Sequence, residues 1–541
     1  MRLNVLFLAV WCAWVWLPVA AAPVLHARAS LDGPRPEPDN SQLRWLWERR
    51  QLRLGVLNRE NPPYDILGTG QVYEGISADY AGLLAEQMNL EVSVQVFASF
   101  AEAVTALRDG QIDLLASVTA QQALQANLRL SRPYGEDRPL LMALEEDLRA
   151  RIRRAEPFDL VMVEGYRTQE QVSEHYPLAR VHPHPSPFSA LTALAFGQAD
   201  LYLGNGLGAR YVLGRSQLSG IEEIGHAALG RQGIGFAMLE DDSPLPHLVD
   251  AGLAALSERQ HARIRERWSP VSANAHKAQP LQLNERELRW LSENPSVKVL
   301  LDEQLLPLSY RDAKAQWRGL SLDILQLISR RTGLRFEVEA GGSVARMLDQ
   351  VRQGQAQLIA GIPRSAALEQ YLGFSRAYLS ASRVLVTRDD PRAPSSLAQL
   401  AGRPLAAVWG SDVLEELKQH YPLVEPLIVP GPVAALQAVA RGQAAAAVLT
   451  LDDARPLIAR WYPGRLRISA SLPMSPAHFA LASARGSVEL QGILNKALLS
   501  LAPRETDVLV RRWRNPMIVA DGVWPRYRVK ILLRFGLAVG V

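Results

Sequence analysis

The feature that most constrains the fold of this chain is an internal repeat at an offset of 244–245 residues. The tetrapeptide HYPL occurs at 175–178 and again at 420–423. Four further matches keep the same order: Gly75 and Asp79 with Gly319 and Asp323, LRDGQIDL (107–114) with VRQGQAQL (351–358), SRPY (131–134) with SRAY (375–378), and Trp268 with Trp513. Such self-similarity predicts a tandem duplication of a unit of about 220 residues.

Each copy alternates short apolar strands with helices. In the first copy, LRLGVL (52–57) and LEVSVQVF (90–97) have the pattern of strands, and ISADYAGLLAEQMN (76–89) has helical spacing. A second run follows, with a strand at 158–165 and a helix at 188–198. This alternation predicts a mostly parallel sheet with helices on both faces. Each copy should therefore hold two α/β lobes, and HYPL should end a helix of the second lobe.

The N-terminus has the pattern of a secretory signal peptide. One arginine precedes an apolar run from Val5 to Leu17, and small residues lead to an expected cleavage after Ala22. An uncleaved anchor is the alternative. The only cysteine, Cys12, lies in that run, so neither disulfides nor thiol catalysis is available to the mature chain. Export to a bacterial periplasm is expected.

Charge and motifs argue against several other classes of protein. The net charge is +4, and no Lys/Arg block is interleaved with aromatic residues, so nucleic acid is not an expected partner. The stretch HPHP (182–185) offers two histidines without a third ligand, and no metal site is predicted. No G-x-S-x-G, H-E-x-x-H or P-loop motif occurs, so neither catalytic residues nor a cofactor is predicted.

The C-terminal segment follows the second matching tryptophan. Residues 529–541 are mostly apolar, but 13 residues span only about 20 Å as a helix, short of a ~30 Å bilayer core. We expect 516–541 to be a juxtamembrane segment and the start of a transmembrane helix that tethers the chain to the inner membrane. Its four basic residues would lie on the outer side, which the positive-inside tendency disfavours. A frayed tail is the alternative.

These features divide the chain into five segments. They are a signal peptide (1–22), a first domain (51–270), a linker with the amphipathic helix LNERELRWL (271–294), a second domain (295–515) and the C-terminal segment (516–541).

Several of these motifs, in this order, resemble the family 3 solute-binding proteins. They are LRLGVL, NPPY (61–64), Gly75 with Asp79, SRPY and the closing RERW. The resemblance implies an α/β fold of two tandem periplasmic-binding-protein-like type II (Venus flytrap) domains, each of two α/β lobes that close on a small-molecule ligand. With the linker helix and the apolar tail, the chain is also similar to the periplasmic region of BvgS/EvgS-type sensor histidine kinases. Homodimer formation is a further expectation.

The resemblance also indicates where a ligand would bind. Amino-acid-binding members use an arginine for the ligand carboxylate and an aspartate for its ammonium group. The arginine positions hold Leu124 and Leu368 here, and the aspartate positions hold Asn205 and Thr450. A buried zwitterion would have unpaired charges in such clefts. A small organic anion or carboxylate is therefore expected rather than a standard amino acid.

Nine residues remain as candidate ligand contacts. They are Tyr64, Thr119, Arg167 and Asn205 in the first domain, and Tyr310, Arg364, Trp409, Ser411 and Thr450 in the second. Arg364 could replace the missing arginine or be a solvated loop residue. The two tyrosines could instead pack in the core or hinge. Asp79 and Asp323 are expected to start helices rather than touch ligand.

Three functions are compatible with this sequence. The favoured interpretation is the periplasmic ligand-sensing region of a membrane-bound two-component sensor histidine kinase. A tandem solute-binding protein of an ABC-type transporter is the first alternative, and a dehydratase-like enzyme on the same fold is the second.

Overall fold

The computed structural model of the chain describes residues 23–31, 35–59, 61–68, 72–144, 156–216, 218, 220–241, 243–268, 281–312, 314–501 and 503–514. The predicted signal peptide and the predicted juxtamembrane segment lie outside these residues.

Domain 1, at residues 23–268, contains fourteen described strands and nine described helices. The strands are β1 Val24–Leu25, β2 Gln51–Leu57, β3 Ile66–Gly68, β4 Val72–Glu74, β5 Glu91–Phe97, β6 Leu114–Thr119, β7 Arg129–Leu130, β8 Gly135–Asp137, β9 Pro139–Ala143, β10 Phe158–Val163, β11 Ala179–His184, β12 Leu201–Asn205, β13 Glu222–His226 and β14 Gln232–Met238. The helices are α1 Asn40–Arg49, α2 Ile76–Met88, α3 Phe100–Arg108, α4 Ala120–Gln125, α5 Gln169–His175, α6 Pro187–Ala195, α7 Gly206–Arg215, α8 Leu245–Ala255 and α9 Glu258–Trp268.

Domain 2, at residues 281–514, repeats this plan. Its strands are β15 Ser296–Leu301, β16 Gln304–Leu305, β17 Ser309–Arg311, β18 Trp317–Arg318, β19 Arg335–Ala340, β20 Leu358–Pro363, β21 Leu372–Phe374, β22 Leu379–Ala381, β23 Arg383–Arg388, β24 Pro404–Val408, β25 Glu425–Val429, β26 Ala446–Thr450, β27 Leu466–Ser471 and β28 Ala477–Ala484. Its helices are α10 Glu285–Glu293, α11 Leu320–Thr332, α12 Val344–Arg352, α13 Ala366–Glu369, α14 Val413–His420, α15 Pro432–Ala440, α16 Leu451–Trp461, α17 Val488–Ser500 and α18 Pro503–Arg514, with a 3₁₀ turn at Ala398–Leu400.

The two domains have the same sheet topology, which confirms the predicted duplication of a two-lobed unit. The first-lobe sheets have the orders β5-β2-β6-β14-β7 and β19-β15-β20-β28-β21. The second-lobe sheets have the orders β11-β10-β12-β9-β13 and β25-β24-β26-β23-β27. The strands that enter the second lobe, β9 and β23, occupy corresponding places in their sheets. The strands that return to the first lobe, β14 and β28, do so as well.

The prediction of mostly parallel sheets was wrong. Strand β2 is parallel to β5 and β6, but β14 is antiparallel to β6, β7 and β8. In the second lobe, β9 is antiparallel to both β12 and β13. The reason is that the chain crosses between the lobes, and each crossing strand enters its new sheet in the opposite direction.

Repeated side-chain contacts fix each first lobe around its leading helix. Trp268 Nε1 donates to Asp79 Oδ2 at 2.9 Å, and Trp513 Nε1 donates to Asp323 Oδ2 at 2.6 Å. The hydroxyl of Tyr134, from SRPY, bonds to Ser77 on α2. In the same way, the hydroxyl of Tyr378, from SRAY, bonds to Ser321 on α11. The motif residues therefore match because they form the same hydrogen bonds twice.

The N-terminal segment 23–31 packs on the first lobe of domain 1. Strand β1 pairs with β4, and the backbone N–H of Ala29 donates to Asp79 Oδ1 at 3.0 Å. A Cβ built on Gly82, in the middle of α2, would lie 2.2 Å from Ala27 Cβ. The glycine is therefore what lets this segment approach the helix so closely.

Several polar contacts join the domains. The buried carboxylate of Glu74 pairs with Arg376 of domain 2 and, at 3.0 Å, with Arg28, whose guanidinium also donates to Leu501 O. Elsewhere, the Gln198 side chain forms two hydrogen bonds with the backbone of Ser471.

Among the described helices, none is both long enough and apolar enough to pass through a bilayer.

Candidate functional site

A cavity of about 70 Å³ lies between the lobes of domain 2. Its walls come from the ends of β20, β24 and β26 and from the turns that follow them. The first lobe contributes apolar side chains, including Leu305, Met347 and Phe479. The cavity holds several water-sized molecules and is smaller than typical ligand sites, so in this arrangement it suits only a small ligand.

Three of the predicted ligand contacts line this cavity together. Trp409 and Ser411 lie in the turn between β24 and α14, and Thr450 lies where β26 meets α16. Thr450 is the N-cap of α16, and its Oγ1 accepts a hydrogen bond from Asp453 N at 3.1 Å. The Oγ atom of Ser411 is buried and has no hydrogen-bond partner among the described residues.

The cavity also contains charged side chains that the sequence analysis missed. Arg383, at the start of β23, is 4% exposed and forms an ion pair with Asp412. Asp453 accepts a hydrogen bond from Thr450 Oγ1 through Oδ2, while its Oδ1 is buried without a partner. Burial raises the pKa of Asp453 to about 7. Asp302, whose pKa is also raised by burial, completes this polar set.

The structure places two predicted residues of domain 2 away from the cavity wall. Arg364 pairs with Glu369, five residues further along the chain. Tyr310 lies against Trp513 in an edge-on arrangement with ring centroids 6.1 Å apart. Arg383 is therefore the arginine that lines the cavity, whereas Tyr310 packs against the apolar clusters of both lobes.

In domain 1, three of the four predicted residues converge on the strand that leaves the first lobe. Arg167 pairs with the buried carboxylate of Asp137, and Asn205 Nδ2 donates to the same carboxylate at 2.8 Å. The Tyr64 hydroxyl donates to Glu136 O at 3.2 Å. These side chains satisfy one another, so the part of the domain 1 cleft around Asp137 is held together by its own residues.

The lobes of domain 1 also approach each other closely at this point. A Cβ built on Gly208, at the start of α7, would lie 2.9 Å from the carbonyl oxygen of Pro62 in the first lobe. Thr119, the fourth predicted residue, is the N-cap of α4 and forms a capping box with Gln122. Its hydroxyl is therefore engaged at a helix start.

The missed residues carried signals that are visible in retrospect. Arg383 interrupts the apolar run ASRVLV, and Asp453 lies three residues after the end of the buried strand AAVLT. Both are charged residues near the ends of neighbouring second-lobe strands, on the side where the cavity lies. Counting positions from the family motif led to Leu368 and Thr450, which both line the cavity, and to Arg364 as a substitute cation four positions before Leu368. In the described part of the chain, no group of three His, Cys, Asp or Glu side chains could hold a metal ion.

Comparison with known proteins identifies a family with this architecture. The model of the bacterial extracellular solute-binding proteins, family 3, matches residues 52–271 and 297–516. The chain is 33% identical over 542 aligned residues to the virulence sensor protein BvgS of Bordetella parapertussis, covering 98% of this chain and 43% of BvgS. It is 25% identical to the sensor protein EvgS of Escherichia coli K12, covering 92% of this chain and 42% of EvgS.

The chain thus spans less than half the length of these curated relatives. The crystal structure of the Bordetella pertussis BvgS periplasmic domain is 32% identical, with a TM-score of 0.45, covering 94% of this chain and 99% of that one. Both halves of the present chain match the same family model over most of their length. The chain therefore belongs to the bacterial extracellular solute-binding proteins of family 3, as two tandem Venus flytrap domains.

Proposed function

We propose that this chain is the periplasmic ligand-sensing region of a membrane-bound two-component sensor histidine kinase. The observation that carries the proposal is the similarity to BvgS along 98% of this chain, through both domains in the same order. A transport protein needs only one such domain, whereas this chain keeps two domains in polar contact. The kinase activity itself would belong to the part of the protein that corresponds to the rest of BvgS.

Domain 2 is the ligand-binding domain in this proposal. Its cleft contains a cavity with two unpaired buried polar atoms, Ser411 Oγ and Asp453 Oδ1. Ligand contacts to both lobes would favour the closed arrangement, because a ligand shifts a two-state equilibrium toward the state that it binds better. Domain 1, whose cleft residues satisfy one another around Asp137, would transmit this change rather than bind a solute.

The proposed ligand is a small organic anion or carboxylate. Arg383 supplies the positive charge in the cavity, and its present partner Asp412 has a side chain 41% exposed, so a ligand carboxylate could replace it. Since burial keeps Asp453 largely protonated below about pH 7, its carboxyl group can donate a hydrogen bond to such a ligand.

Binding of benzoate and of its neutral isostere benzamide tests this ligand class. Titration calorimetry on residues 23–514 should show benzoate binding and at least tenfold weaker benzamide binding. Arg383→Ala should abolish benzoate binding, because it removes the charge that lines the cavity. Arg388→Ala, on the exposed end of the same strand, is the matched control.

Arg364→Ala decides between the two arginines. If it abolishes binding while Arg383→Ala does not, the cation predicted from the sequence is the right one. Equal binding of benzoate and benzamide would reject an anion as the ligand.

Cell fractionation tests the sensor assignment itself. We expect the natural protein that contains these domains to remain in carbonate-washed membranes and to be phosphorylated on histidine when ATP is added. Release into osmotic-shock fluid without phosphorylation would instead identify a soluble transport protein.

A further inference from the structure

Another cavity, of about 300 Å³, lies where the second lobe of domain 1 faces the second lobe of domain 2. Domain 1 contributes residues of β10, β11 and α6, and domain 2 contributes Ser471 and Pro473. Both histidines of the HPHP stretch, His182 and His184, line this space. Its volume falls at the lower end of the range of small-molecule sites.

Two buried polar atoms, one from each domain, lack partners at this cavity. They are Nδ1 of His184 and Oγ of Ser471, and neither has a hydrogen-bond partner among the described residues. His184 is 8% exposed and Ser471 is 3% exposed. Since buried polar atoms in native proteins are nearly always hydrogen-bonded, a molecule in the cavity would satisfy both.

The domain contact holds one of these atoms in place independently of any ligand. Gln198 Nε2 donates to Ser471 O at 3.2 Å, and Ser471 N donates to Gln198 Oε1 at 2.7 Å. Nearby, the buried hydroxyls of Thr192 and Ser382 bond to each other at 2.7 Å. The Ser471 hydroxyl is therefore presented to the cavity by a backbone that is already fixed.

The charges around the cavity define the class of ligand. None of its lining residues is Asp, Glu, Lys or Arg. Burial, with a smaller effect of His182, lowers the pKa of His184 to about 4, so its imidazole is neutral near pH 7. The His182 ring already pairs with Asp159 Oδ1 at 2.9 Å. A charged ligand in contact with His184 and Ser471 would thus have no counter-charge among the lining residues, which is unfavourable.

We propose that this interdomain cavity binds a compact uncharged molecule bearing hydroxyl or amide groups, which bridges His184 of domain 1 and Ser471 of domain 2. The site is separate from the cleft of domain 2. It binds uncharged molecules, whereas the cleft is proposed to bind anions. Because the ligand contacts both domains, its binding strengthens their association.

Acetamide and acetate provide a matched pair of probes, since they are nearly isosteric and differ in charge. The full chain, labelled with ¹³C in its histidine rings, is titrated with each probe and followed by NMR. The His184 resonance is assigned from its loss in His184→Phe. Acetamide should shift this resonance with saturation, whereas acetate should leave it in place.

Two substitutions test the geometry of the site. Ser471→Ala removes one hydrogen bond to the ligand and should weaken acetamide binding about tenfold. Ser469→Ala is its control, because that hydroxyl donates to Leu385 O at 3.3 Å and does not line the cavity. Ala193→Leu fills the cavity from α6 and should abolish binding while His184 and Ser471 stay in place.

The proposal is overturned if acetate binds as well as acetamide, or if the shift does not saturate. It is also overturned if the two serine variants behave alike, or if a crystal soaked in acetamide shows only ordered water on His184 Nδ1. None of these outcomes bears on benzoate binding in the domain 2 cleft, so the two proposals fail independently.

Discussion

An aspartate on the leading helix of each domain fixes the closing tryptophan of that domain. In domain 1, the side chain of Asp79 is fully buried and receives hydrogen bonds from Trp268, from Arg267 and from the backbone of the N-terminal segment. The sequence analysis placed Asp79 and Asp323 correctly near helix starts. It could not show what they bind, because their partners lie 188–190 residues further along the chain.

Replacing Asp79 by alanine should destabilise domain 1 by about 3–5 kcal/mol, since it leaves Arg267 without its buried partner. The measurement is the shift of the domain 1 unfolding transition in urea. Asp109→Ala, at an exposed helix end, is the control and should change stability little. A loss below 1 kcal/mol at position 79 would show that the tryptophan is held mainly by packing.

Asp453 should make the stability of domain 2 depend on pH. Burial raises its native pKa to about 7, whereas the unfolded carboxyl titrates near the ordinary value of 3.8. The native state therefore binds the proton more tightly, and raising the pH through this window lowers the free energy of unfolding.

Between pH 5 and pH 8, this loss should be on the order of 2–3 kcal/mol. Asp453→Asn should remove it, and Asp389→Asn, at an exposed position, should not. The check is urea unfolding of all three proteins at both pH values. If the free energy of unfolding depends on pH equally in the parent protein and in Asp453→Asn, Asp453 is not the group responsible.

The difference between Arg364 and Arg383 shows the limit of reasoning from sequence at the level of residues. Position counts from a family motif led to Leu368, and Arg364 was the cation that lies four positions earlier. Whether its side chain lines a cavity depends on partners such as Glu369, which position counts do not reveal.

At the level of elements, hydrophobic periodicity predicted most helices and strands of the first domain closely. The helix predicted at 76–89 spans Ile76–Met88, and the strand predicted at 52–57 spans Gln51–Leu57. Strand direction was less predictable. The apolar pattern of β9 or β14 is the same whether the strand runs parallel or antiparallel to its neighbour. The sequence pattern therefore does not show where the chain crosses between the lobes.

Helix α2 offers a substitution whose effect should change sign with its surroundings. Glycine to alanine in a helix interior usually stabilises by about 0.5–1 kcal/mol. At Gly82, however, the new Cβ would lie 2.2 Å from Ala27 Cβ, so Gly82→Ala should displace the N-terminal segment and lower the melting temperature of domain 1.

Deleting residues 23–31 provides the control for this prediction. In the shortened protein the same substitution has no clash and should raise the melting temperature relative to the shortened parent. Stabilisation in both backgrounds would mean that the segment does not press on α2 in solution.

At the level of the whole molecule, the repeat predicted two similar domains but not how they meet. Glu74 and Arg376 lie 302 residues apart, and neither belongs to a motif that would reveal the pair. Although burial disfavours its charge, Arg376 and Arg28 lower the pKa of Glu74 to about 2. The interdomain contact should therefore persist at neutral and mildly acidic pH, and weaken only below the unfolded value of about 4.5.

Glu74→Gln should uncouple the two domains, because it removes the charge shared by Arg28 and Arg376. We expect calorimetry to show the unfolding transitions of the domains further apart in temperature than in the parent protein. Glu91→Gln, at an exposed strand position, should leave them unchanged. If the unfolding transitions shift equally in Glu74→Gln and Glu91→Gln, contacts other than the Glu74 ion pairs dominate the interface.

The ion pairs of the two clefts carry their charges in opposite order along the chain, which has a consequence for the history of the gene. Arg167 pairs with Asp137 in the first copy, whereas Asp412, 245 positions after Arg167, pairs with Arg383 in the second. A recombination event that joined the copies between these partners would set Asp137 against Asp412, or Arg383 against Arg167. Exchanges at SRPY/SRAY or at HYPL would keep each pair together. Exchange at these two motifs would thus preserve a buried ion pair in each cleft, whereas exchange between them would leave two like charges facing each other.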